Sequence, residues 1–167
     1  GVVSDDTRQH LVELAIAGHP DLQVDAREIL RAGRSYTVPT LEELRNEEPS
    51  RPLALIVGAD AFLGLPTWHR WRELFGLDHI GVVSRPTFAL NADSMEEALA
   101  DEFRRRHQTH CAALASAPAG AIFTYTMQAG TVSSTEVRAR LRAGAPVEEL
   151  LPATVLDYIR HHRLYLP

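Results

Sequence analysis

Cysteine occurs once among 167 residues, as Cys111, so no internal disulfide framework can hold this chain together. A single thiol fits a reducing, cytoplasmic setting. Long apolar runs are lacking too. No stretch approaches the ~20 residues of a membrane helix, and no signal-peptide pattern opens the sequence. Positive charge is scarce: the net charge is -5 and the longest basic block is Arg104-Arg105-Arg106, which excludes the broad cationic face that a nucleic-acid backbone requires. There is no internal repeat, no low-complexity linker, no Walker loop, no zinc-ligand pattern and no serine-hydrolase elbow. An initial Met is also missing. The chain opens Gly1-Val2-Val3 and runs almost directly into a helix, as a trimmed tag or an absent upstream segment would leave it.

What is present suits one compact domain. Hydrophobic residues make up 45% of the chain and charged residues 23%, enough apolar material for a real core under a soluble surface. Leu11, Leu14 and Ile16 recur with helical spacing over 7–17, and Gly18 and Pro20 close that helix. Leu22 to Ala26 alternates like a short strand. Pro39 stands near the start of a helix reaching about Glu47. Leu53 to Val57 is continuously apolar, the pattern of a parallel strand covered on both faces. Trp68, Trp71, Leu74 and Phe75 form one stripe of a helix over 67–75, and His79 to Ser84 reads as the next strand. Ser94-Met95-Glu96-Glu97 is a capping box opening a helix to about His107, followed by a loop over 111–120 and a strand over 122–127. A second capping box, Ser133-Ser134-Thr135-Glu136, starts a helix ending at Gly144, and Pro152 opens a last one over 153–162. Strands alternating with helices predict an α/β domain with a mainly parallel sheet flanked by helices.

In such sheets ligands bind beyond the carboxyl ends of the strands. Three polar clusters fall there: Gly58-Ala59-Asp60, Arg85-Pro86 and Thr131 to Arg138, which points to one site drawing on all three. Ser133, Ser134 and Thr135 offer hydroxyls and free amides to an anion, and Arg138 one turn on could aim a fork of donors at the same phosphate. A plain N-cap with a surface arginine accounts for that local pattern as well. Gly58 would let a ligand approach the backbone, and Asp60 could bind ribose hydroxyls; a tight strand-to-helix turn is the alternative. Trp71 reads as core, and Trp68, beside Pro66, as an aromatic platform. His69 and Arg70 read as solvated. Gly33 to Thr37 carries hydroxyls and amides that could receive a carboxylate, or else it is a capped loop with Tyr36 half-buried. His107-Gln108-Thr109-His110 and His161-His162 read as solvated helix ends, and Cys111 has no neighbour that would mark a nucleophile.

In order and spacing, these segments resemble the bacterial nicotinate mononucleotide adenylyltransferases. The matching stretches are Leu14 to Ala17, Ser35-Tyr36-Thr37 with Thr40-Leu41, Ile56 to Asp60, Leu65 to Trp71, Arg85-Pro86, Val132 to Thr135 with Arg138, and 151–165. The resemblance implies a Rossmann-like nucleotidyltransferase domain over 1–167 that moves adenylyl from ATP to nicotinate mononucleotide, with Mg²⁺ carried on the ATP and no metal-ligating side chain of its own. It further implies that Tyr36, Thr37, Trp68, Asp60 and Arg85 hold the mononucleotide, Thr37 at the carboxylate and Trp68 stacked on the pyridine. Gly58, Asp60, Ser133, Ser134, Thr135 and Arg138 would hold ATP, with Arg138 catalytic. The family opens with a strand–loop–helix unit bearing a His-x-Gly-His motif. The sequence has no counterpart, so a truncated chain is expected, and a silent nucleotide-binding remnant is the alternative. A relative acting on nicotinamide mononucleotide or a pantetheine phosphate is a third reading.

Overall fold

The protein's structure, a computed structural model, describes residues 3–85, 90–127 and 133–165, leaving aside the side chains of Cys111 and Ala113. In chain order it holds α1 (Asp5–Ile16), α2 (Arg27–Leu30), α3 (Thr37–Glu47), β1 (Ala54–Gly58), α4 (Ala59–Leu63), α5 (Leu74–Leu77) and β2 (His79–Ser84). Then follow α6 (Glu97–Arg106), β3 (His107–Gln108), β4 (Ile122–Thr126), α7 (Ser134–Ala143) and α8 (Ala153–His161). Contacts gather into two compact units, Gly1–Ala32 with Gly130–Pro167, and Gly33–Ala129.

The first unit is helical. Val137, Leu141, Val147, Val155, Leu156 and Ile159 form its core, and Leu11 and Leu14 of α1 pack onto it. The Thr154 hydroxyl donates to the Leu14 carbonyl (3.2 Å), tying α8 to α1. Helix α7 stops at Gly144, whose φ of 65° is the left-handed conformation that an L side chain resists.

The second unit carries the sheet. Its four strands are all parallel, in the order β1-β2-β4-β3. Gly58 pairs with Val83 and Ser84 with Thr126, so the strands' carboxyl ends share one edge. Phe62, Leu65, Leu74, Ile80, Val82, Leu99 and Ile122 are fully buried between the sheet and its helices. Each such side chain contributes roughly 1.5–3 kcal/mol by leaving water. At the opposite edge Arg45, in the last turn of α3, donates to the carbonyls of Leu77 (2.5 Å), Pro118 (2.8 Å) and Arg51 (2.6 Å), fixing the entries to β1, β2 and β4.

Several elements depart from the sequence reading. Residues 22–26 form no strand: the Asp25 carboxylate accepts from the Arg27 amide (2.9 Å) and turns the chain into α2. Among the described residues, nothing covers one face of β1. Ile56 and Tyr125 are 64% and 67% exposed, and the open face carries an apolar depression of about 250 Å³. The helix expected over 67–75 is broken into two 3₁₀ turns, Leu65–Thr67 and Trp71–Glu73, followed by α5, because Arg70 sits in the left-handed region (φ 57°). Ser94 caps no helix. Its hydroxyl donates to the Asn91 carbonyl (2.8 Å) in a 3₁₀ turn, and α6 begins only at Glu97. His107 and Gln108 are a strand rather than a frayed helix end, paired with Ile122 and Phe123. Residues 111–115, read as loop, make a 3₁₀ turn.

Candidate functional site

Helix α3 begins at Thr37 after an extended Tyr36, and Tyr36 supplies no side-chain cap. The first amides of a helix have no partner within it, so those of Thr37 and Val38 are available to a ligand, and the dipole favours an anion there. The Thr37 hydroxyl makes no hydrogen bond with the described residues. Facing it is the segment that leaves α4, where the Thr67 hydroxyl donates to the Gly64 carbonyl (2.8 Å) and closes the 3₁₀ turn. Trp68 follows in extended conformation, half-buried against the core. Together Ser35, Tyr36, Thr37, Thr67, Trp68 and His69 line a pocket of about 290 Å³. Sequence reasoning had put Tyr36, Thr37 and Trp68 to one use, and they do meet here.

His69 is exposed, as its sequence context implies, and the sequence alone gives it no role in the site; its ring nonetheless lines the pocket, 4.7 Å from that of Tyr36 and tilted by 36°. Its neighbour Arg70 turns elsewhere, bonded to Glu73 (2.5 Å) and to Glu42 of α3 (2.6 Å). Glu73 first and Glu42 second hold the Arg70 guanidinium above its ordinary pKa, and Arg70 in turn holds Glu73 below the usual carboxylate range. The only signal that could have exposed His69 was its adjacency to Trp68.

Two further residue groups stand where the strands end. Gly58, the last residue of β1, is exposed with φ -70°, a conformation any residue adopts, and a Cβ there would meet nothing within 4 Å. Its smallness is thus not needed by the fold, and open space lies where a ligand could approach the backbone. Asp60 is exposed in the first turn of α4, and its carboxylate has no partner among the described residues. Arg85 is exposed just after β2, while Pro86 lies outside the described residues.

The remaining candidates belong to the helical unit. Thr131 and Val132 lie outside the described residues. Ser133 caps α7, its hydroxyl oxygen accepting from the Glu136 amide (3.1 Å) while the hydroxyl hydrogen stays free to donate. The reciprocal half of the capping box does not form, because the Glu136 carboxylate pairs with Arg140 (2.6 Å). Ser134 and Thr135 are exposed in the first turn. Arg138 is half-buried and has no ion pair among the described residues.

A buried polar cluster occupies the opposite sheet edge. Asp78 is fully buried, and neither carboxylate oxygen has a hydrogen-bond partner among the described residues. Burial pushes its carboxyl up to about 7, against smaller pulls from the Leu55 amide and the Arg45 guanidinium. Beside it His79 is buried, its Nδ1 accepting from the Ala121 amide (3.0 Å) while Nε2 donates to the Ala117 carbonyl (2.9 Å). No three His, Cys, Asp or Glu side chains converge as metal ligands among the described residues, and no helix there is long and apolar enough to cross a membrane.

Comparison with known proteins places this geometry among relatives. The family model described as cytidylyltransferase-like matches residues 1–140. A protein of Dechloromonas aromatica named "Probable nicotinate-nucleotide adenylyltransferase" is 43% identical over 164 residues, covering 98% of this chain and 76% of its own. A protein of the same name from Stenotrophomonas maltophilia is 45% identical, with 96% and 74% covered. Among solved structures, the nicotinic acid mononucleotide adenylyltransferase of Plasmodium falciparum complexed with NaAD superposes with a TM-score of 0.63. It shares 12% identity and covers 99% of this chain and 76% of that one, a likeness of fold.

Proposed function

The chain belongs to the cytidylyltransferase-like family and, within it, to the nicotinate-nucleotide adenylyltransferases, and from that premise we propose that it transfers the adenylyl group of ATP to nicotinate mononucleotide. The products are deamido-NAD and pyrophosphate. The observation that carries the reading is the pocket where a half-buried indole, Trp68, faces an uncapped helix start with a free hydroxyl, Thr37. That pairing suits a flat aromatic acid: a ring to stack and a carboxylate to receive donors. Tyr36 forms the wall beside it.

The reaction is an in-line displacement in which the 5′-phosphate of the mononucleotide attacks the α-phosphorus of ATP. No protein nucleophile is required; the protein positions the reactants and stabilises charge. On this reading Gly58 admits the nucleotide close to the β1 backbone, Asp60 accepts from ribose hydroxyls, and Arg85 offers its charge to the mononucleotide. Ser133, Ser134 and Thr135 at the start of α7 donate to ATP phosphate oxygens, and Arg138 neutralises charge on the transferring group. Mg²⁺ would arrive on the ATP oxygens and supply further charge neutralisation. The full-length protein should release pyrophosphate only when ATP and nicotinate mononucleotide are both present, with deamido-NAD formed in equal amount. Binding of both without product would sink this reading and favour a silent nucleotide-binding protein.

A further inference from the structure

A pocket that recognises an aromatic acid by helix amides and a hydroxyl has a selectivity problem. Those donors serve a carboxylate oxygen, but they serve the carbonyl oxygen of the corresponding amide nearly as well. Strong discrimination requires a group that favours a negative charge or is left unpaired by the wrong ligand. Arg70 cannot be that group, because its left-handed backbone and its bonds to Glu73 and Glu42 commit it elsewhere. His69 is different. Its ring is on the pocket wall, braced by Tyr36 at 4.7 Å, and no hydrogen bond or ion pair to a described residue occupies its nitrogens.

Resting on the assignment of this pocket to the pyridine ring, we propose that the His69 imidazole selects the acid over the amide by presenting an N–H to the carboxylate and adding positive charge when protonated. An imidazolium meets a carboxylate as a charge-assisted donor, and it meets a carboxamide's NH₂ group donor to donor. The charged and titratable groups around it are Tyr36 before α3, Glu42 on α3, and Arg70 and Glu73 on its own segment. Arg70 bonds both carboxylates, and Glu73 also interacts electrostatically with the His69 imidazole, which makes no hydrogen bond to a described residue.

The test compares kcat/KM for nicotinate and nicotinamide mononucleotides in the full-length wild type, His69→Phe and His69→Lys. His69→Phe keeps an aromatic ring against Tyr36 but has no N–H; its acid-to-amide ratio should fall about tenfold below the wild type, mostly through KM. His69→Lys keeps a cation and should hold a high ratio. If His69→Phe retains the wild-type ratio, His69 is not the selector. The wider reading fails separately: wild-type protein that turns over neither mononucleotide overturns the proposed function, and this inference with it.

Discussion

Asp78→Asn isolates the most strained electrostatic feature of the fold. In the wild type the carboxyl is fully buried without a hydrogen-bond partner among the described residues, and its pKa is raised from 3.8 to about 7. Between those values the unfolded chain carries it ionised while the folded chain carries it protonated. Folding therefore takes up a proton, and stability falls as pH rises across that window, then levels off above about 7. Each pH unit inside the window costs about 1.4 kcal/mol, so moving from about pH 5 to about pH 8.5 removes about 3 kcal/mol from the wild type. Asp78→Asn has no charge to lose. The cost of burying its amide is the same at both pH values and cancels in the difference. Urea unfolding at the two pH values, with the m-value checked for constancy, gives the comparison. The variant minus wild-type stability should rise by about 3 kcal/mol from the lower to the higher pH. Parallel pH profiles for the two proteins would mean instead that the folded protein holds Asp78 as an anion.

Gly58→Ala adds a methyl into open space at an ordinary φ, so the unfolding midpoint should hold or rise slightly while KM for ATP increases; unchanged nucleotide affinity would show that no ligand approaches β1 there. Arg138→Ala should lower kcat on the order of 10²–10³-fold with an unaltered far-UV circular dichroism spectrum, because no described residue depends on its charge. Arg45→Met keeps much of the side-chain stem but loses the donors to Leu77 and Pro118; thermal or urea unfolding should report a loss of about 3 kcal/mol.

The strands and helices whose burial is local were legible from residue order. His79 to Ser84 is a strand as expected, with Ile80 and Val82 fully buried, and Gly144 and Pro152 bound their helices where turn chemistry puts them. What the sequence concealed depends on distant partners. The stripe Trp71, Leu74 and Phe75 is buried as its spacing implies, but the helix is broken at Arg70, whose left-handed turn is held by Glu42 from another element. His107 and Gln108 become a strand only because β4 lies alongside. In the candidate pocket, a helix start and a half-buried indole were legible as candidate residues, while His69, exposed as expected, joins them on the wall only because the backbone turns at Arg70.

Above all, Trp68 should stack on the pyridine ring of the acceptor. The chain has two tryptophans, and Trp71 is buried, so its fluorescence is shielded from a ligand in the pocket. Titrating nicotinate mononucleotide into the full-length protein should quench fluorescence saturably in the wild type and in Trp71→Phe, with the quench absent in Trp68→Phe. Undiminished quenching in Trp68→Phe, at the same affinity, would contradict the claim and move the acceptor site elsewhere.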